Sequence, residues 1–147
     1  SGLIARELGN LTCVVATEIN PHAAICAHGA GVDVVRCNLM DAVRGTFDLV
    51  VFNPPYLPTA PHERIDDWLE YALDGGETGR IVIERFAADV ARLLPPGGRV
   101  LLLISSLTGL DEVKDLLSSA GFSTEIVRQE RVEDEILYVL RIFTADR

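Results

Sequence analysis

The sequence predicts an open, mostly parallel α/β sheet that closes in a C-terminal antiparallel hairpin. Three observations carry that expectation: short aliphatic runs recur along the chain, helical periodicities lie between them, and two longer strand-like segments end it. At 147 residues and 48% hydrophobic content, the chain suffices for one domain with a substantial core.

The first run, CVVAT at 13–17, leads to Glu18, and Pro21 fits the first turn of a helix reaching His28. VDVVRC at 32–37 and FDLVVF at 47–52 are the next strands, aliphatic enough to be covered on both faces. Val82, Phe86, Val90 and Leu93 or Leu94 trace one face of a helix over 80–94, which Pro95-Pro96-Gly97-Gly98 stops. RVLLLIS at 99–105 is the fourth aliphatic strand. Leu110, Val113, Leu116 and Leu117 mark a helix over 110–120, and Gly121 suits the left-handed position beyond its end. Segments 123–129 and 135–143 flank an acidic, glycine-free turn and are expected to pair antiparallel, which makes the sheet mixed.

Composition excludes some functions. A net charge of −9 opposes a surface built to neutralise phosphates, so direct nucleic-acid binding is not expected. No apolar run approaches the ~20 residues that cross a bilayer, and SGLIARELGN lacks the n- and h-regions of a secretory signal, so a cytoplasmic location is expected. Cys13, Cys26 and Cys37 form no C-x-x-C pair and read as reduced core thiols. His22, His28 and His62 lack ligand spacing and read as solvated or capping residues, so no metal is expected.

In open α/β sheets ligands sit at the carboxyl ends of the strands. Glu18, Asn38 and Asn53 each end a strand. After Asn53 come Pro54 and Pro55, which cannot donate to a ladder and hold φ near −65°, so the chain leaves the sheet as a stiff segment. Strand termination accounts for the prolines by itself. The segment also places two acceptors, the Asn53 amide oxygen and the Pro54 carbonyl, where both can grip one planar NH2 group. Such a nitrogen is a poor nucleophile, and two acceptors on its hydrogens orient it and favour the charge that grows during attack. The Tyr56 ring then lies against the flat group and excludes water.

NPPY after an aliphatic strand resembles the signature of class I S-adenosylmethionine-dependent methyltransferases that modify planar NH2 groups. EINPHA at 18–23, NPPYLPT at 53–59 and DGGETGRIVIERF at 74–86 are together most similar to the HemK-type glutamine methyltransferases, in the archaeal and eukaryotic release-factor branch. The likeness covers nearly the whole chain. It implies a Rossmann-like fold, S-adenosylmethionine as cofactor, and methylation of a glutamine in the Gly-Gly-Gln motif of a translation release factor. It also implies a small zinc-binding activator protein as partner in a heterodimer. Glu18 falls where the family binds the cofactor's ribose hydroxyls, with a helix-capping acid as the alternative. Asn38 falls where many relatives carry an Asp that touches the adenine amino group. Asn53, Pro54 and Tyr56 take the catalytic roles, with Pro55 beside them on the substrate and Asn53 also facing the cofactor.

The resemblance makes the loop of Gly75, Gly76 and Gly79 a wall of the substrate pocket, where composition alone suggests an ordinary loop. Trp68 and Tyr71 read equally well as core aromatics or as a lid over the target glutamine. One family feature stands outside the sequence. Ser1 and Gly2 resemble the tail of the glycine-rich cofactor loop, so the first strand and the leading glycines are expected upstream. The activator is expected to pair along the edge strand at 32–37. Two other functions compete: a nucleic-acid amino methyltransferase, which the charge disfavours, and a non-catalytic interaction subunit, if the upstream loop is absent in the cell.

Overall fold

The computed structural model describes residues 2–10, 13–60, 62 and 67–144. The chain divides into two compact units, Ser1–Arg44 and Gly45–Arg147.

In the first unit, helix α1 (Leu3–Gly9) precedes strand β1 (Val15–Glu18), helix α2 (Pro21–Gly29) and strand β2 (Asp33–Arg36). Pro21 opens α2 as expected, and the Asn20 side chain caps it by accepting from the N–H groups of His22 and Ala23. β1 and β2 pair in parallel, Val15 opposite Asp33 through Glu18 opposite Arg36. Cys37 N–H donates to the Glu18 carbonyl at 3.1 Å, which extends that ladder by one bond. Because successive N–H groups along a strand point to opposite sides, those of Val34 and Arg36 face away from β1. Among the described residues no strand pairs with that side of β2, so it is an edge. Ala24, Ala27, Val32, Met40 and Val43 are buried in this unit.

The second unit contains strand β3 (Leu49–Phe52), helices α3 (Trp68–Leu73) and α4 (Ile81–Val90), strand β4 (Arg99–Ser105), helix α5 (Leu110–Ser119), and strands β5 (Phe122–Val132) and β6 (Glu135–Thr144). Its sheet runs in the order β3-β4-β6-β5. β3 pairs in parallel with β4, and the expected hairpin of β5 and β6 adds antiparallel to β4 through β6. Val100, Leu102 and Ile104 of β4 are fully buried, as are Leu140 and Ile142 of β6 beside it, so the core follows the central pair. The outer strand β5 has a bulge between Ile126 and Arg128. A bulge on an outer strand raises local twist and breaks the flat template that invites edge-to-edge pairing. Glu133 turns the hairpin with φ 51°, a position where glycine is the usual choice.

Three expectations need correction. The buried face of α4 carries Ile83, Phe86, Ala87 and Val90, so Ile83 takes the place assigned to Val82, which is only half-buried. Three consecutive aliphatic or β-branched residues open that helix, and periodicity alone does not fix which of them faces inward. Cys13 and Cys26 are exposed and Cys37 is half-buried, so the thiols are free, as expected, but are not core residues. Trp68 and Tyr71 are exposed on α3, which removes the core alternative for them.

Candidate active site

In each unit the candidate residues stand at the carboxyl ends of strands. Glu18 ends β1 and Asn38 follows β2, at the same end of two parallel strands in which Glu18 stands opposite Arg36. The Glu18 carboxylate accepts the N–H of Asn20 through Oε1 at 2.9 Å, so its orientation is fixed before any ligand arrives. Leu39, next to Asn38, sits at φ 47°, a conformation leucine rarely adopts. The Cys37 thiol donates to the Leu39 carbonyl at 3.5 Å and helps hold that sharp turn. Gly2 sits at φ 74°, where a side chain would be strained, and an added Cβ would lie 3.1 Å from Cβ of Ala27. A carboxylate can accept from a diol, a carboxamide oxygen can accept from an amino group, and a glycine leaves its backbone open to close approach, so by chemistry these residue types suit a nucleoside cofactor.

In the second unit β3 delivers Asn53 exposed and Pro54 buried, with Pro55 and Tyr56 half-buried. Asn53, Pro54, Tyr56, Leu57, Ala72 and Leu73 line a cavity of about 170 Å³. The structure therefore brings Asn53, Pro54 and Tyr56 together around one space, while Pro55 is not among the lining residues. Past Tyr56 the chain is stitched to the end of α3. Leu57 N–H donates to the Leu73 carbonyl at 3.0 Å, and Gly75 N–H donates to the Leu57 carbonyl at 2.9 Å.

The glycine loop presses on the same segment. An added Cβ on Gly79, at φ 73°, would stand 2.5 Å from the Tyr56 carbonyl oxygen, and one on Gly75 would meet the Gly79 backbone at 2.7 Å. Only glycine allows these approaches. Asp74 holds the loop's start by accepting the Gly76 N–H at 2.7 Å. The loop thus packs behind the Tyr56–Leu57 segment, but Gly75, Gly76 and Gly79 are not among the residues that line the cavity.

Four residues near this segment were not singled out by the sequence. Ser105 is fully buried, and its hydroxyl hydrogen-bonds the Glu135 carboxylate. Burial first, and the Glu135 carboxylate second, push the Tyr56 phenol above its ordinary value. Thr108, also fully buried, donates its hydroxyl to the Tyr56 carbonyl at 3.4 Å, and Arg80 donates to the Thr108 carbonyl at 2.6 Å. Ser105 ends β4, so the strand-end rule that selected Glu18, Asn38 and Asn53 applies to it as well. Glu135 and Arg80 carry no local signal of this kind.

No family model matches the chain. A Methanocaldococcus jannaschii protein named as an N5-glutamine methyltransferase is 38% identical over 86% of this chain and 68% of its own length. The human methyltransferase HEMK2 is 31% identical over 96% of this chain and 71% of its own length. Among solved structures, the E. cuniculi Mtq2–Trm112 complex, responsible for methylation of the eRF1 termination factor, superposes with a TM-score of 0.78 at 30% identity, covering 98% of this chain and 79% of that one. A Pyrococcus furiosus methyltransferase shares the fold, with a TM-score of 0.69 at 19% identity over 98% of this chain and 68% of that one.

Fold and relatives together define a class I methyltransferase that uses S-adenosylmethionine. More particularly, the chain belongs to the HemK2-type family of protein N5-glutamine methyltransferases.

Proposed function

We propose that the chain methylates the side-chain amide nitrogen of a glutamine in the Gly-Gly-Gln motif of a translation release factor, in the cytoplasm, as a heterodimer with a small zinc-binding activator. One observation carries the reading: Asn53, Pro54 and Tyr56 face a single cavity at the carboxyl end of β3. The relatives' names supply the substrate class.

When bound, S-adenosylmethionine supplies an electrophilic methyl group. Glu18 would hold its ribose hydroxyls, Asn38 its adenine amino group, and Gly2 would let the backbone approach. On the substrate side, the Asn53 amide oxygen and the Pro54 carbonyl accept from the two hydrogens of the glutamine amide. That grip orients the nitrogen and offsets the positive charge that develops on it. Tyr56 stacks its ring on the amide plane and keeps water out. Its hydroxyl stays neutral at physiological pH, because burial and Glu135 both oppose ionisation.

A net charge of −9 favours a protein substrate over nucleic acid. The test is a radiolabelled methyl-transfer assay on a candidate release factor, with and without the activator, followed by mapping of the modified residue. Label on a Gly-Gly-Gln glutamine is the expected result. Label on nucleic acid, or none with the activator present, overturns the reading.

A further inference from the structure

We propose that Thr108 is a positioning residue for methyl transfer, holding the Tyr56–Leu57 peptide so that the Tyr56 ring keeps its place over the substrate amide. The inference rests on the function proposed above. It starts from a buried hydroxyl. Thr108 has no exposed surface, so its side chain must find its hydrogen-bond partner within the protein. That partner is the Tyr56 carbonyl, 52 residues away in sequence.

The peptide that joins Tyr56 to Leu57 is held at both polar ends. Its carbonyl oxygen receives the Thr108 hydroxyl at 3.4 Å, and its N–H donates to the Leu73 carbonyl at 3.0 Å. On a third side stands Gly79, where a methyl group would come within 2.5 Å of the same oxygen. A planar peptide held at both ends resists rotation, which restrains the backbone torsion that aims the Tyr56 side chain.

Thr108 is itself braced. It closes the short 3-10 turn Ser106–Thr108 that follows β4, and its carbonyl receives the Arg80 guanidinium at 2.6 Å. Gly109, at φ 85°, begins the next helix in a space where an added Cβ would lie 2.3 Å from the Glu112 carboxylate and 3.3 Å from the guanidinium. Three loops therefore meet at one carbonyl: the NPPY segment, the glycine loop and the turn after β4. Without the hydroxyl, the carbonyl of half-buried Tyr56 loses that partner and the peptide gains freedom to tilt. A small misplacement next to the reacting group costs rate more than binding.

The experiment compares Thr108→Val, which keeps the shape and removes the hydroxyl, with Thr108→Ser, which keeps the hydroxyl and removes the methyl. Both are assayed with the activator present and beside Asn53→Ala. Thr108→Val is expected to lower kcat about tenfold while leaving the Kd for S-adenosylmethionine within about twofold, and Thr108→Ser to remain within about twofold of the parent in both. If Thr108→Val does not fold, Arg80→Gln, which releases the Thr108 carbonyl, is expected to lower kcat in the same selective way. Unchanged kcat in a folded Thr108→Val, or in Arg80→Gln where Thr108→Val does not fold, with a strong loss in Asn53→Ala, overturns the inference and leaves the proposed function standing. Equal losses in the valine and serine variants would mean that retaining the hydroxyl does not rescue the rate, which also overturns it. No loss in Asn53→Ala removes the proposed function and this inference with it.

Discussion

Phe52 and Phe86 stack with ring centroids 4.4 Å apart and planes 27° from parallel, one residue before Asn53. Phe86 is buried on α4, so this pair fastens the carboxyl end of β3 to the helix that follows the glycine loop. Removing the ring leaves a cavity under the site. Phe86→Ala is expected to cost about 3–5 kcal/mol in denaturant unfolding, and Phe86→Leu about 1–1.5 kcal/mol because it refills most of the volume. Equal midpoints for the two variants would contradict the packing account.

The substrate grip predicts a separation of rate from cofactor affinity. Asn53→Ala is expected to lower kcat roughly 10²-fold with nearly unchanged S-adenosylmethionine binding, because the lost acceptor acts mainly as charge develops. Tyr56→Phe is expected to be mild, while Tyr56→Ala raises KM and lowers kcat. A severe phenylalanine phenotype would mean that the hydroxyl takes part.

Local chemistry made the strand ends legible. β4 occupies 99–105 as the aliphatic run implied, and Pro21, Gly121 and the hairpin stand where periodicity and turn residues placed them. Asn53 could be found because a stiff diproline after a buried strand is a local signal with few explanations. Thr108, Arg80 and Glu135 could not, since their partners lie 52, 28 and 30 residues away, and single-sequence patterns carry no record of such pairings. Exposure was misjudged for a related reason. Cys13 opens the run CVVAT and Cys26 lies on a mostly apolar helix, yet the faces they occupy are set by packing across elements.

Glu18 has a structural task as well as its proposed cofactor role, and two substitutions separate them. The carboxylate accepts the Asn20 N–H, a bond that a glutamine oxygen can also accept. Glu18→Gln is expected to keep thermal stability, and Glu18→Ala to weaken S-adenosylmethionine binding by about 1.5–3 kcal/mol in calorimetric titration, with Glu18→Gln in between. Unchanged affinity in both would leave Glu18 as a cap only.

Tyr56 predicts an alkaline limb in stability. Its phenol is raised above 10.0 in the folded chain, so the neutral form is favoured there relative to the unfolded chain. Below pH 10.0 both states are neutral and the stability is fully present; as pH rises further the unfolded chain ionises first, and stability falls until folded Tyr56 ionises too. Tyr56→Phe is expected to flatten that limb in unfolding experiments at stepped pH. Glu135→Gln is expected to move Tyr56 ionisation to lower pH in an ultraviolet titration, but only in part, because burial is the larger cause. Full reversal would assign the shift to Glu135 instead.

The activator is predicted to add a strand to β2. Such an edge offers unpaired backbone groups, and strand addition satisfies them while covering flanking apolar surface. Val34 and Val35 are half-buried and Asp33 and Arg36 exposed, so the edge combines apolar area with two charges that can set register. The contact is expected to bury roughly 1,200–2,000 Å² in total, the usual size of a specific interface. The N–H directions choose the variants. Val34 points its N–H outward, so Val34→Pro removes a donor from the partner side without breaking a β1–β2 bond, and the chain is expected to stay folded while its affinity for the activator falls tenfold or more (~1.4 kcal/mol). Val35→Pro removes a donor that faces β1 and is expected to destabilise the strand pair itself. Val35→Lys changes only the side chain and is expected to weaken binding less than Val34→Pro. Titration of the activator against each variant, with circular dichroism to confirm folding, reads out all three. A folded Val34→Pro that binds as tightly as the parent would place the activator on a different surface.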